Sequence, residues 1–81
     1  MPHKDRPVDQ YGTPKLSQRE VQVIQLVGQG LNNREIAREL GIGQHTVKKY
    51  IYKIYDKIGL SSRVELALWY ASRIQKRGPL Q

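Results

Sequence analysis

Net positive charge is concentrated in one quarter of the chain, residues 43–63. This stretch carries five basic residues against one acidic residue, a net charge of +4, whereas residues 16–42 are neutral overall. The whole 81-residue chain has a net charge of +7. Ammonium and guanidinium groups attract and hydrogen-bond negative groups, so the concentration predicts a polyanionic partner without identifying it. The five basic residues are Lys48, Lys49, Lys53, Lys57 and Arg63.

Residues typical of catalytic or metal sites are scarce. The sequence has no cysteine, and His3 and His45 lie far apart without paired carboxylates beside them. It also has no glycine-rich phosphate loop. We therefore expect no enzyme activity, no metal or other cofactor, and no small-molecule ligand. Because no apolar run could span a membrane and no signal peptide is visible, we expect a cytoplasmic protein without a membrane partner.

The elements that must position the basic residues are predicted to be helices. Apolar residues recur with helical spacing and no strand alternation occurs, which predicts an all-α, four-helix compact domain in residues 16–77. A chain of this length has room for one modest core. Residues 1–15 are rich in proline and are predicted to form a flexible tail or interdomain linker, and residues 78–81 a C-terminal tail.

Capping patterns mark the first two helices. Ser17 with Glu20 three positions later is typical of a helix start, and it precedes the first apolar stripe. Asn32 with Glu35 repeats the pattern before a helix of about two turns. Gly41 is predicted to end that second helix, because glycine readily adopts the left-handed conformation found there.

A longer third helix is predicted from Gln44 to Ile58. Its apolar positions recur three and four residues apart on one side, and its other side is basic. Gly43 leaves its start without a side-chain cap. Two helices joined by the short turn 41–43 form a helix-turn-helix, in which the second helix lies in the major groove of DNA.

The fourth helix is predicted to begin after Ser62, with Glu65 completing another capping pattern. Its apolar positions extend too far around the helix for a single buried side. A second packing partner for this helix is therefore expected.

The exposed face of the third helix offers donors for duplex DNA. Lys48 and Lys49 are predicted to reach guanine acceptors, and Tyr52 to hydrogen-bond a base or pack on a thymine methyl group. Gln44 and the hydroxyl of Thr46 lie at the positively polarised helix start, which favours a phosphate oxygen. The alternative is that the basic face is only solvated and that Thr46 bonds within its own turn.

Six short motifs occur in order along residues 16–71. They are L-S-x-R-E at 16–20, G-L-N-N-R-E-I-A at 30–37, T-V-K at 46–48, I-x-K-I at 51–54, K-I-G-L at 57–60 and S-R at 62–63. With this spacing the chain resembles the LuxR-type, or GerE-type, DNA-binding domain of bacterial response regulators and quorum-sensing receptors. The resemblance implies sequence-specific binding of double-stranded DNA by a transcriptional regulator, with helix 3 in the major groove. It also implies a symmetric homodimer through helix 4, which we expect to be weak without DNA.

The residues and the resemblance together give three sets of predicted contacts. The base contacts are Lys48, Lys49 and Tyr52. The phosphate contacts are Asn33, Arg34, Gln44, Thr46, Tyr50, Lys53, Lys57 and Arg63. The dimer contacts are Leu68, Trp69 and Ser72. Two assignments stay open, since Arg63 could instead pair with a buried Glu20, and Tyr50 could place its ring in the core and only its hydroxyl at a phosphate.

Two other functions are compatible with parts of the sequence. A protein-interaction module could dock helix 3 or helix 4 on a receiver domain or on RNA polymerase, with the basic face merely solvated. A sigma-factor-like promoter-binding region shares the L-S-x-R-E, E-I-A and T-V-K elements. The fourth helix after residues 59–63 argues against the sigma-factor alternative.

Overall fold

The computed structural model describes residues 15–77, with side chains described to residue 74. Four helices and no strand occur in this part of the chain: α1 Gln18–Gly28, α2 Asn33–Leu40, α3 Gln44–Ile58 and α4 Arg63–Arg77. The predicted all-α, four-helix fold is confirmed, including both ends of α3. The predicted tail or linker, apart from Lys15, and the predicted C-terminal tail lie outside the described residues.

The first two helices begin with the predicted capping boxes. Glu20 donates its main-chain N–H to Ser17 Oγ at 3.1 Å, and its carboxylate accepts from the Ser17 N–H at 2.8 Å. Asn32 and Glu35 make the same reciprocal pair at 2.9 and 2.8 Å. Each box satisfies amide groups that would otherwise lack a partner at the helix start.

The start of α4 uses a shifted version of this cap. The Ser62 hydroxyl accepts from the Glu65 N–H at 3.1 Å, whereas the Glu65 carboxylate accepts from the Ser61 N–H at 2.8 Å. Hydrogen bonds from the Ser61 main chain and hydroxyl lower the pKa of Glu65. The loop before α4 is thus tied to the first turn of the helix.

Left-handed glycines end α2 and α3. Gly41 has φ 70° and Gly59 has φ 88°, a region that L side chains rarely adopt. The Ile42 N–H donates to the Ala37 carbonyl at 3.0 Å, which closes the end of α2. The chain can therefore turn at once into α3.

The core lies where α1 packs against α3 and α4, and α3 packs against α2. Helix α4 contributes one fully buried side chain, Leu66, while Trp69 and Tyr70 are half-buried. The buried apolar residues are Val23, Ile24, Val27, Ile36, Ala37, Val47, Ile51, Ile54 and Leu66. Within the described residues no helix is long and apolar enough to cross a membrane.

Gly28 allows α1 and α4 to approach closely. A Cβ atom at this position would overlap Cδ2 of the Tyr70 ring and lie 2.7 Å from its Cε2. We expect Gly28→Ala to destabilise the fold by about 1–2 kcal/mol, because overpacking outweighs the gain in helix propensity. Urea denaturation would measure the change.

The matched control for Gly28→Ala is the same substitution in a Tyr70→Ala background. With the ring removed, the added methyl group should be neutral or stabilising, since only helix propensity then acts. A stabilising effect of Gly28→Ala in the wild-type background would contradict the close approach.

Candidate nucleic-acid interface

The helix-turn-helix consists of α2, the turn at residues 41–43, and α3. Ile36 and Ala37 of α2 and Val47 and Ile51 of α3 are all buried in the same core cluster. This packing fixes the direction of α3 relative to α2. It leaves the opposite side of α3 facing solvent.

The predicted base contacts lie on this solvent-facing side. Lys48, Lys49 and Tyr52 are exposed, and Tyr52 retains 59% of its accessible surface. Lys49 and Tyr52 are three residues apart, and Lys48 and Tyr52 four, so all three lie on neighbouring parts of one helix surface. Long donor side chains on a convex helix surface can reach base edges in a major groove.

Four side chains of α3 line a shallow depression beside this surface. It brings three predicted phosphate contacts, Thr46, Tyr50 and Lys53, together with Lys49. Tyr50 is half-buried and packs against the core, as expected if its ring is inside and its hydroxyl at the edge. The depression therefore combines two ammonium groups and two hydroxyl groups, all of which can donate to phosphate oxygens.

The Tyr52 ring is supported by Tyr55, one turn further along α3. Their ring centroids are 6.4 Å apart at an interplanar angle of 60°, an edge-to-face arrangement. Tyr55 is half-buried, and burial raises its pKa above the ordinary value of 10.0. The edge-to-face contact thus packs the exposed Tyr52 ring against a half-buried neighbour.

The start of α3 has no side-chain cap, as Gly43 predicts. The main-chain carbonyl of Gly43 accepts from the N–H groups of Thr46 and Val47, both at 3.1 Å. The amides of Gln44 and His45 lie in the first turn, where no intrahelical acceptor exists. Both side chains are exposed.

Two predicted phosphate contacts lie at the start of α2, where Asn33 is half-buried and Arg34 exposed. Arg63, the first residue of α4, reaches this point. It donates from Nη1 to Asn33 Oδ1 at 2.9 Å and from Nη2 to the Leu31 carbonyl at 2.7 Å. The Arg63 guanidinium thus hydrogen-bonds two residues of its own chain.

The Lys57 ammonium group also binds residues of its own chain. Its Nζ lies 2.8 Å from Glu20 Oε1 and 3.4 Å from the Lys15 carbonyl. The Glu20 side chain is only 3% exposed. The alternative pairing of Arg63 with Glu20 is therefore wrong, because Lys57 occupies the carboxylate and Arg63 lies against α2.

The pKa of Glu20 reflects this pairing. Burial alone raises the pKa of the carboxyl group, but hydrogen bonds from Lys57 Nζ and from Ser17, with the charge of Lys57, lower it below its ordinary value of 4.5. Glu20 is consequently ionised at neutral pH. The pair joins α1 to the last turn of α3.

The outer side of α4 is apolar and exposed. Of the predicted dimer contacts, Leu68 retains 64% of its accessible surface and Ser72 is exposed, as is Val64 one turn before Leu68. Trp69 is different, since it packs against the core of its own chain and the Arg73 guanidinium lies 4.3 Å from its ring centroid. Leu68 and Ser72 thus lie on a surface that the rest of the described chain does not cover.

Sequence reasoning missed one residue of this surface, His45. His45 is exposed one turn before Lys49 and lies on the same side of α3 as Lys49 and Tyr52. Its spacing of four and seven residues from them is the signal that could have identified it. A buried Glu20 was considered from the sequence, but its pairing with Lys57, 37 positions away, had no local signal.

Known proteins are similar to this chain over the region that contains the candidate interface. The family model for bacterial regulatory proteins of the luxR family matches residues 14–70. The nitrate/nitrite response regulator protein NarL of Escherichia coli K12 is 44% identical over 55 residues, which cover 68% of this chain and 26% of that protein. Transcriptional regulatory protein YdfI of Bacillus subtilis is 36% identical over 61 residues, or 75% of this chain and 29% of that protein.

A third relative is much longer. The putative HTH-type transcriptional regulator Rv0890c of Mycobacterium tuberculosis is 38% identical over 63 residues, or 78% of this chain and 7% of that protein. The chain thus spans less than a third of the length of each of these relatives. In each case the similarity covers most of this chain.

The matched residues include the helix-turn-helix, its basic surface and the first half of α4. The resemblance inferred from the six motifs is confirmed. The chain belongs to the luxR family of bacterial regulatory proteins, and its residues 14–70 match the DNA-binding helix-turn-helix domain of that family.

Proposed function

We propose that this chain binds a specific sequence of double-stranded DNA, with α3 in the major groove, as part of a transcriptional regulator. The observation that carries the proposal is the basic, solvent-facing surface of α3, held in a helix-turn-helix by buried residues of α2 and α3. Bacterial DNA as partner also implies a cytoplasmic location.

The proposal assigns different contacts to different parts of the surface. Lys48, Lys49 and Tyr52 face bases, and His45 joins them because it lies on the same side of α3. The phosphate contacts are Asn33, Arg34, Gln44, Thr46, Tyr50 and Lys53, since their side chains lie at helix starts or along the depression of α3. Lys57 has a structural role instead, because its ammonium group pairs with Glu20.

A homodimer through α4 is part of the proposal. Leu68 and Ser72 lie four residues apart on an exposed surface. A second copy of the chain, related by a twofold axis, can cover this surface. This surface is small, so the dimer is expected to be weak without DNA. RNA polymerase as a further partner stays a prediction.

Selection of bound sequences from a random duplex pool, followed by affinity measurements across salt concentrations, tests the proposal. We expect two related half-sites and an affinity that falls steeply with salt, because bound cations release counterions from DNA. Lys49→Ala should relax preference at one base position by about 1–3 kcal/mol, whereas Lys53→Ala should weaken all duplexes and lower the salt slope by about 1.

Lys15→Ala is the matched control, since Lys15 is exposed before α1 and the substitution keeps the main-chain carbonyl that accepts from Lys57 Nζ. It should leave sequence preference unchanged. Salt-insensitive binding, or no enrichment of any sequence by the wild-type chain, would contradict DNA recognition. Binding of one chain to a single half-site would contradict the homodimer but not DNA recognition. In that case Leu68→Glu should not change the stoichiometry of the complex.

A further inference from the structure

Arg63 links the start of α4 to the start of α2. Its two terminal nitrogens donate to two different acceptors, Asn33 Oδ1 at 2.9 Å and the Leu31 carbonyl at 2.7 Å. All three residues are half-buried. A planar guanidinium suits this fork, because it fixes both acceptors relative to each other.

The contact determines how the Asn33 amide is oriented. A guanidinium has only donors, so the oxygen of the amide must face Arg63 and the NH₂ group must face away. Asn33 Nδ2 donates no hydrogen bond to any acceptor among residues 15–74. The main-chain N–H groups of Asn33 and Arg34, in the same first turn of α2, have no intrahelical acceptor, whereas the Glu35 N–H donates to Asn32 Oδ1.

The first turn of α2 therefore carries the Asn33 NH₂ group together with main-chain donors that have no intrahelical acceptor. In a helix-turn-helix, the first helix of the pair crosses the DNA backbone. An Asn33 amide with the opposite orientation would present its oxygen to a phosphate and repel it. The orientation imposed by Arg63 is thus the one that an anion requires.

We propose that Arg63 is a positioning residue for DNA binding, which holds Asn33 so that its NH₂ group donates to a phosphate. This inference rests on the proposed function and deepens it. It assigns Arg63 this role in place of a direct phosphate contact, because its two hydrogen bonds hold the guanidinium against Asn33 and the Leu31 carbonyl. Asn33 is the residue that touches DNA.

The test compares duplex affinity, on the selected sequence and across salt concentrations, for the wild type and four variants. These are Arg63→Lys, Arg63→Met, Asn33→Ala and the double variant Arg63→Met/Asn33→Ala. We expect each single variant to bind about tenfold more weakly, in keeping with one lost charge-assisted or phosphate hydrogen bond. The double variant should lose no more than either single variant, because both remove the same contact.

Two readouts separate positioning of Asn33 by Arg63 from a direct phosphate contact and from general support of the fold. Asn33 carries no charge, so the salt slope of Arg63→Met should stay that of the wild type, whereas a direct contact would lower it by about 1. In nitrogen-15 NMR spectra the Asn33 side-chain NH₂ signals should shift on addition of DNA to the wild type, and not in Arg63→Lys. Arg19→Met, which removes another half-buried arginine outside the interface, controls for net charge.

Rescue by lysine distinguishes the two roles of Arg63 most directly. One ammonium group keeps the charge but cannot hold the Leu31 carbonyl and the Asn33 amide in a fixed fork. Wild-type affinity of Arg63→Lys, additive losses in the double variant, or a lowered salt slope would overturn the positioning role while leaving DNA binding intact. Failure of the wild type to bind any duplex would instead overturn the proposed function.

Discussion

Leu66→Ala is expected to destabilise the domain by about 3 kcal/mol, within the range of about 2–5 kcal/mol for truncation of a buried leucine. Leu66 is 0% exposed and is the one fully buried side chain among the described residues of α4. Its removal leaves a cavity in the core where α4 packs against α1, which rigid helices cannot fill. Because small domains are only marginally stable, a large unfolded fraction should appear at moderate urea concentrations.

Leu68→Ala provides a matched control on the same helix. Leu68 is 64% exposed, so its truncation should change the free energy of unfolding by less than about 0.5 kcal/mol. Urea denaturation monitored by circular dichroism measures both variants. Equal destabilisation by the two substitutions would contradict the packing of α4 described above.

Lys57→Met is expected to have the next largest effect, a destabilisation of about 2–3 kcal/mol. The substitution leaves the ionised Glu20 carboxylate buried without its cationic partner, which is costly even when the pair itself contributes little. The value lies below the upper range for fully buried pairs, because the Lys57 side chain is 26% exposed and solvent screens part of the interaction. Thermal or urea unfolding at neutral pH measures the loss.

The double variant Glu20→Gln/Lys57→Met separates the charge from the packing. Glutamine keeps an acceptor for the Ser17 N–H but carries no charge, so the double variant should recover part of the stability that Lys57→Met loses. A loss below about 0.5 kcal/mol in Lys57→Met would contradict the pairing.

The same pair predicts a pH dependence of stability. The pKa of Glu20 is lowered in the folded chain, so the pair stabilises above the ordinary pKa of 4.5, and this stability is lost as pH falls through the lowered pKa. Glu20→Gln should lack this component of the acid transition.

The fold could be predicted closely because its signals are local. Ser17 with Glu20 and Asn32 with Glu35 identify two helix starts, and the glycines at 41 and 59 identify two helix ends. Each of these signals acts within four residues of its effect. The sequence alone was therefore sufficient to bound α3 correctly.

The roles of the basic residues were harder to predict because their partners are distant in sequence. Helical spacing correctly indicates that Lys48, Lys49 and Tyr52 share an exposed surface. Spacing cannot indicate that Lys57 finds Glu20, 37 positions away, or that Arg63 finds Asn33, 30 positions away. The close approach of Gly28 to Tyr70 likewise depends on how α1 and α4 cross.

The ammonium group of Lys57 has a mechanical consequence. It binds the Glu20 carboxylate and also the Lys15 carbonyl, at the point where the chain enters α1. The last turn of α3 and the residue ahead of α1 therefore share one ammonium group. A displacement of the main chain at Lys15 would act on that group, and through it on the contact between Lys57 and Glu20 that joins the end of α3 to α1.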